Sequence, residues 1–213
     1  MKIIPIANDG WRFIVGFAVA GGFLLWLGRW WSMPWGVVFV LLAIFSVFFF
    51  RDFDRNTKLD ESAIYSPGDG KIMEVGTLAD GEYSGQRIIR IFLSVFDGHI
   101  QRLPAKGTVT KIQYKKGLFL DARDPHAHVD NEQNTLTLQT AKGVLVVKQI
   151  AGLIARRIVC WAKESQSLGQ GERYGLIRFG SQVDVIMPAD AIAQVKVGER
   201  VVGGETVLAR WPS

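Results

Sequence analysis

The chain has 213 residues, 48% of them hydrophobic and 21% charged, with a formal net charge of +5. That composition excludes collagen, coiled coil, a disordered chain and a disulfide-stapled scaffold. The one cysteine, Cys160, cannot form an internal bridge, which fits a reducing compartment.

The averages conceal a split. Residues 1–50 carry only four charged side chains, Lys2, Asp9, Arg12 and Arg29, together with five of the seven tryptophans. Trp11 to Gly28 and Pro34 to Phe50 are apolar runs, the first with Arg12 as its one charge and the second with none. At ~1.5 Å per residue each reaches roughly 26 Å, close to a bilayer core. The five residues Arg29 to Met33 leave room only for a tight turn between antiparallel helices. Trp11, Trp30, Trp31 and Trp35 fall at the ends, where indole prefers the interface. The pattern predicts a two-helix membrane hairpin within residues 1–55, with spans near 11–28 and 34–50. Arg51 and Arg55 after the second run and Lys2 and Arg12 around the first place both ends on the cytoplasmic side. A signal peptide is disfavoured, because no small-residue cleavage site separates the runs. A hairpin lying shallowly in one leaflet stays open, since both runs are short.

Residues 56–213 form a soluble body that reads as strands. Short β-branched runs alternate with Gly-rich turns at Gly70–Val75, Arg87–Leu93, Gly107–Ile112, Thr135–Gln139, Val144–Ile150 and Val183–Met187. Spacings of roughly ten residues predict a mainly β barrel or sandwich. A single helix is placed near Gly152 to Trp161. Pro67-Gly68-Asp69-Gly70-Lys71-Ile72 is echoed by Pro104-Ala105-Lys106-Gly107-Thr108-Val109, and Val197 to Glu205 is equally turn-rich. The pattern resembles the hairpins of biotinyl/lipoyl-carrier barrels. Lys106, Lys111, Lys115 and Lys116 crowd one stretch, either a solvated strand face or a surface that attracts anionic headgroups. Nothing in the sequence interleaves basic and aromatic residues as a nucleic-acid surface would.

Three histidines occur, His99, His126 and His128, with no Cys/His spacing that predicts a zinc site. No phosphate-binding loop, dinucleotide fingerprint or nucleophile elbow is present. Asp97-Gly98-His99 sets a carboxylate and an imidazole two residues apart; on an extended strand they would share a face and could pair, which suits a proton shuttle. Gly180-Ser181 is the only Gly-Ser dipeptide, inside what reads as a β-hairpin.

Four stretches then carry a family resemblance: Ser66 to Lys71, Leu93 to Gly107 with its Asp97-x-His99, Asn131-Glu132-Gln133-Asn134, and Gly175 to Asp184 with Gly180-Ser181. The block Gly152-x-x-Ala155-Arg156-Arg157-Ile158-Val159 adds to them. In that order they resemble short-form, membrane-anchored phosphatidylserine decarboxylase proenzymes. The resemblance implies self-cleavage between Gly180 and Ser181 into a β chain, 1–180, and an α chain, 181–213, which stay associated. It implies that Ser181 becomes a pyruvoyl group that forms a Schiff base with phosphatidylserine and takes up the electrons released with CO₂, giving phosphatidylethanolamine. Neither a metal nor pyridoxal phosphate is implied. Asp97 and His99 are the family's candidate acid-base pair, and His126 and His128 stand as weaker candidates for a further histidine. The implied location is the inner membrane with the body on the cytoplasmic side, and self-association is left open. Two other readings are weighed: a pyruvoyl decarboxylase of another amine, and a membrane-tethered lipoyl-like adaptor without catalysis.

Overall fold

The computed structural model describes residues 5–153, 157–178 and 181–212. The chain divides into two compact units, Met1–Asp54 and Arg55–Ser213. In the first, a one-turn 3₁₀ segment, Asn8–Gly10, leads into α1 (Trp11–Trp26), and α2 (Met33–Phe49) returns antiparallel to it. Gly28 adopts φ +61°, a left-handed conformation that costs glycine nothing, and so turns the chain after α1. Gly21 and Gly36 let the helices approach closely: a Cβ on Gly21 would lie 2.9 Å from Val40, and one on Gly36 2.7 Å from Leu25. An Ile6–Arg51 bridge and the Ala7 N–H donating to the Phe50 carbonyl at 2.9 Å close the open end. Val15, Val19, Phe23, Trp26, Trp35, Leu41 and Ile44 face outward, exposed. The first helix, at 16 residues, is shorter than the run read from the sequence, because Leu27 and Gly28 are spent on the turn; the second, at 17, matches the length of its run and starts one residue earlier. Among the described residues no helix is long and apolar enough to cross a membrane.

The second unit is mainly β. Its elements are β1 (Ala63–Tyr65), β2 (Gly70–Thr77), β3 (Arg87–Leu93), β4 (Ile100–Arg102), β5 (Gly107–Lys115), the one-turn α3 (Ala127–Asp130), β6 (Gln133–Thr140) and β7 (Gly143–Ala151). There follow β8 (Ile158–Cys160), β9 (Ser167–Leu168), β10 (Arg173–Ile177), β11 (Ser181–Met187), β12 (Ile192–Ala193), β13 (Arg200–Val201) and β14 (Val207–Arg210). An eight-stranded antiparallel sheet runs β13-β2-β3-β11-β7-β6-β5-β9, and two three-stranded sheets run β1-β14-β12 and β4-β10-β8. The sheets do not close into a barrel, which corrects that half of the expectation: the large sheet ends in the two-residue strands β13 and β9. The helix placed near residues 152–161 is also corrected. Ile158–Cys160 is a strand, and residues 154–156 lie outside the described residues.

Every long strand read from the sequence is present, because each carries apolar residues at period two facing one core. Ile89, Ile91, Val147, Val183 and Val185 all fall in that core and are fully buried. The echoed Pro-x-x-Gly segments have a common job. Gly70 and Gly107 each open a strand where a side chain has no room: a Cβ would run into the Phe92 carbonyl at the first and lie 2.5 Å from the Gln139 carbonyl at the second. The two segments also clasp each other, with the Tyr65 N–H donating to Pro104 and the Arg102 N–H to Pro67.

Candidate active site

Ser181 is the first residue of β11, which is buried along its whole length between β3 and β7. It stands opposite Leu93 on one side and Ala151 on the other. Alternation turns its side chain to the face of Val183 and Val185, the core face. Ser181 is fully buried, and its Oγ has no hydrogen-bond partner among the described residues. A buried hydroxyl without a partner costs about 1–3 kcal/mol. Gly180, the other half of the dipeptide, lies outside the described residues.

Asp97 and His99 sit in the turn that leaves β3, the strand paired to Ser181, rather than on a strand. This changes how they meet. The His99 Nδ1–H donates to the Asp97 backbone carbonyl at 2.9 Å. A carbonyl only accepts, so this bond fixes the tautomer and leaves the Nε2 lone pair on the neutral ring. The Asp97 carboxylate faces elsewhere: it accepts from the Ser94 N–H and Oγ, both at 2.8 Å, and pairs with the Arg200 guanidinium. Both residues are buried. The contact between the two thus runs through the Asp97 backbone carbonyl: Asp97 orients His99 through its backbone and holds the turn with its side chain.

Of the other family-like stretches, Ser66 to Lys71 packs against this turn. Asp69 accepts from the Gly203 N–H at 2.8 Å and pairs with Arg55 at 2.6 Å. Its carboxylate lies where a Cβ on Gly98 would be, 2.6 Å away, which is why the middle residue of Asp97-Gly98-His99 is glycine. Fully buried Asn131 donates to the Leu120 and Ala151 carbonyls and accepts from the Leu120 N–H, pinning the strand end opposite Ser181. Asn134 Nδ2 donates to Gln149 at 2.9 Å, and Gln149 Nε2 to Gln101 at 2.7 Å. Gln149 faces Val183 across the β7–β11 pair, one pleat from Ser181 and on its face. The sequence reading passed over this amide chain, because glutamines thirty or more residues apart carry no local signal.

His126 and His128 are not brought to Ser181. His126 is exposed, its Nδ1 3.3 Å from Asp124. His128 lines a cavity of about 260 Å³ with Tyr83, Arg90, Lys148 and Asp184, on the opposite face of β11 from Ser181. Burial there, with Arg90 and Lys148 adding to it, pushes the His128 ring below its ordinary value. Burial also raises the Asp184 carboxyl to about 6 against the pull of Arg90, 3.4 Å away, and of the Gln182 amide. No group of three or more metal-ligating side chains occurs among the described residues.

Comparison with known proteins gives the chain its relatives. A family model described as phosphatidylserine decarboxylase matches residues 42–209. A phosphatidylserine decarboxylase proenzyme of Citrifermentans bemidjiense is 45% identical over 98% of this chain and 97% of its own length. One from Geobacter sp. strain M21 matches equally, and one from Beijerinckia indica is 47% identical over 98% of this chain and 90% of its own.

Asp184 makes a pH prediction. Its folded value of about 6 exceeds the ordinary 3.8, so the folded state holds the proton more tightly than the unfolded state does. The cost is absent below the unfolded value, grows between the two values and is complete above pH 6. Asp184→Asn removes it. The melting temperature of the variant minus that of the parent should therefore rise between pH 4.5 and pH 7.5, measured on the full chain in detergent. A difference independent of pH would mean that Asp184 is not held protonated by burial.

Proposed function

The chain belongs to the phosphatidylserine decarboxylase family, and from that premise we propose that it cleaves itself between Gly180 and Ser181 and works through a pyruvoyl group made from Ser181. The activity is the decarboxylation of phosphatidylserine to phosphatidylethanolamine and CO₂. The observation that supports Ser181 is its Oγ, buried at the start of β11 with no hydrogen-bond partner among the described residues.

The residues present suit the making of that group. The Ser181 Oγ attacks the carbonyl carbon of Gly180; the C–N bond breaks as the C–O ester forms, and the nitrogen takes the proton. His99 Nε2, left basic by the Nδ1–H bond to Asp97, is the base for the hydroxyl. Loss of the Ser181 Hα expels the Gly180 carboxylate, and water then releases ammonia, leaving a ketone at the new N-terminus. When formed, that ketone supplies the electron sink that pyridoxal phosphate supplies elsewhere. His99, buried beside the turn, holds the proton needed at the carbon that loses CO₂. Burial of Ser181 and its neighbours keeps bulk water from the ester until cleavage is complete.

The hairpin unit supports a membrane setting. At ~1.5 Å per residue its helices reach about 24 and 26 Å, short of a ~30 Å core. Apolar side chains nonetheless cover their outer surface, a cost in water. A shallow seat in the cytoplasmic leaflet reconciles the two, with Arg12 and Arg51 at the headgroups.

Two variants test the assignment. Ser181→Ala should yield one uncleaved chain on a denaturing gel and no decarboxylation; a cleaved Ser181→Ala would overturn the cleavage site. His99→Ala should slow processing or turnover by at least ~10²-fold in a pulse-chase and a CO₂-release assay. Asp97→Asn should do less, because it keeps the carbonyl that receives the His99 proton. Normal rates in His99→Ala would leave the imidazole a structural group.

A further inference from the structure

The large sheet has two ends, and its exposed apolar residues are not shared evenly between them. The register sets Ser181 opposite Leu93 and Ala151, Ile150 opposite Gln133, and Gln133 opposite Lys115. The segments that leave β3, β5 and β7 therefore all emerge at the Ser181 end. Each carries large apolar side chains in the open: Phe96 is 70% exposed, Leu153 63%, Leu118 57% and Val129 51%. Scattered apolar residues are ordinary on a soluble surface, but a group ringing one end of a sheet marks an interaction site.

The ring is built rather than loose. The Leu118 N–H donates to Asp130, the Glu132 N–H donates to Leu118, and Asn131 ties both segments to the last carbonyl of β7. Lys115, Lys116 and Arg157 stand exposed among these residues, and the Lys115 ammonium donates to the Val129 carbonyl at 2.7 Å. Apolar tips interleaved with cations fit an anionic phospholipid surface: the tips enter the acyl boundary while each cation gains from the headgroup charge.

We propose that this end of the β unit, formed by Phe96, Leu118, Val129 and Leu153 with Lys115, Lys116 and Arg157, docks onto an anionic bilayer independently of the N-terminal hairpin. The inference rests on Ser181 as the reacting residue, since docking this end brings the site to the headgroups. The substrate's amine and carboxylate then reach the site while its acyl chains stay in the bilayer, which removes the cost of extracting a lipid.

The test uses the full chain. In a Cys160→Ala background, Phe96→Cys, Leu153→Cys and, at the opposite end of the sheet, Ala141→Cys each carry an environment-sensitive fluorophore. With vesicles of phosphatidylcholine and phosphatidylserine, labels at 96 and 153 should shift to the blue and be quenched by nitroxide lipids, and the label at 141 should not. The double variant Phe96→Ser, Leu153→Ser should raise KM for vesicle-borne phosphatidylserine about tenfold, the scale of losing partly buried apolar side chains. Its self-cleavage and its turnover of a short-chain, monomeric phosphatidylserine should match the parent. Labels at 96 and 153 that stay in water overturn the proposal. So does a blue shift that needs no vesicles and grows with protein concentration, which would make the ring a contact between copies. A parent chain that never cleaves would instead count against Ser181.

Discussion

The structure depends on β11 being a central strand. It is hydrogen-bonded to β3 on one side and β7 on the other, and every one of its residues is buried. A strand so placed cannot shift register without moving its apolar set off the core. That fixes Ser181 at a single position, opposite the residues that end both neighbours. From those ends leave the turn that carries Asp97 and His99 and the segment that Asn131 pins. The hydroxyl proposed to react is thus positioned by backbone pairing, with no side-chain bond to it among the described residues.

The same strand separates two polar regions. On the core face lie Ser181 and the chain from Asn134 through Gln149 to Gln101. On the other lie Asp184, Arg90, Lys148 and His128 around their own cavity. Their electrostatics differ. The first is a chain of neutral amides. The second is a cluster of charges in which burial moves both Asp184 and Lys148 toward their neutral forms. Period-two alternation alone assigns each residue to its side. His128, close in sequence to the family-like Asn131 to Asn134 stretch, lies in α3 and lines the second region instead.

Much of this was legible in the sequence. The strands were, since each long one is a short β-branched or apolar run bounded by turn residues, and the division near residue 55 shows in the charge distribution. The Gly-Ser dipeptide and the Asp-Gly-His turn stand out because local chemistry needs them adjacent. What was not legible is long-range. Sheet closure depends on how strands two residues long pair at the edges, and β9 and β13 have no pattern to read. Asp97 and His99 meet as their spacing suggests, but in a turn rather than on a strand, so the contact runs through the Asp97 carbonyl while the carboxylate is drawn to Ser94 and Arg200. The first helix is two residues shorter than its run because apolarity does not distinguish a last helical turn from a capping loop. Membership of the family removes the reading of a tethered adaptor without catalysis, which composition and turn pattern alone had left standing.

The central claim is that the catalytic carbonyl is made from Ser181 of the chain itself. The mass of the C-terminal fragment from purified, active protein tests it most directly. A fragment that begins at residue 181 and is lighter by one ammonia than the same sequence with an intact N-terminal serine is the predicted result, and it should resist Edman degradation. Active protein whose chain is intact, or whose fragment begins with an unmodified serine, would contradict the account, because no other carbonyl electron sink would remain in the polypeptide.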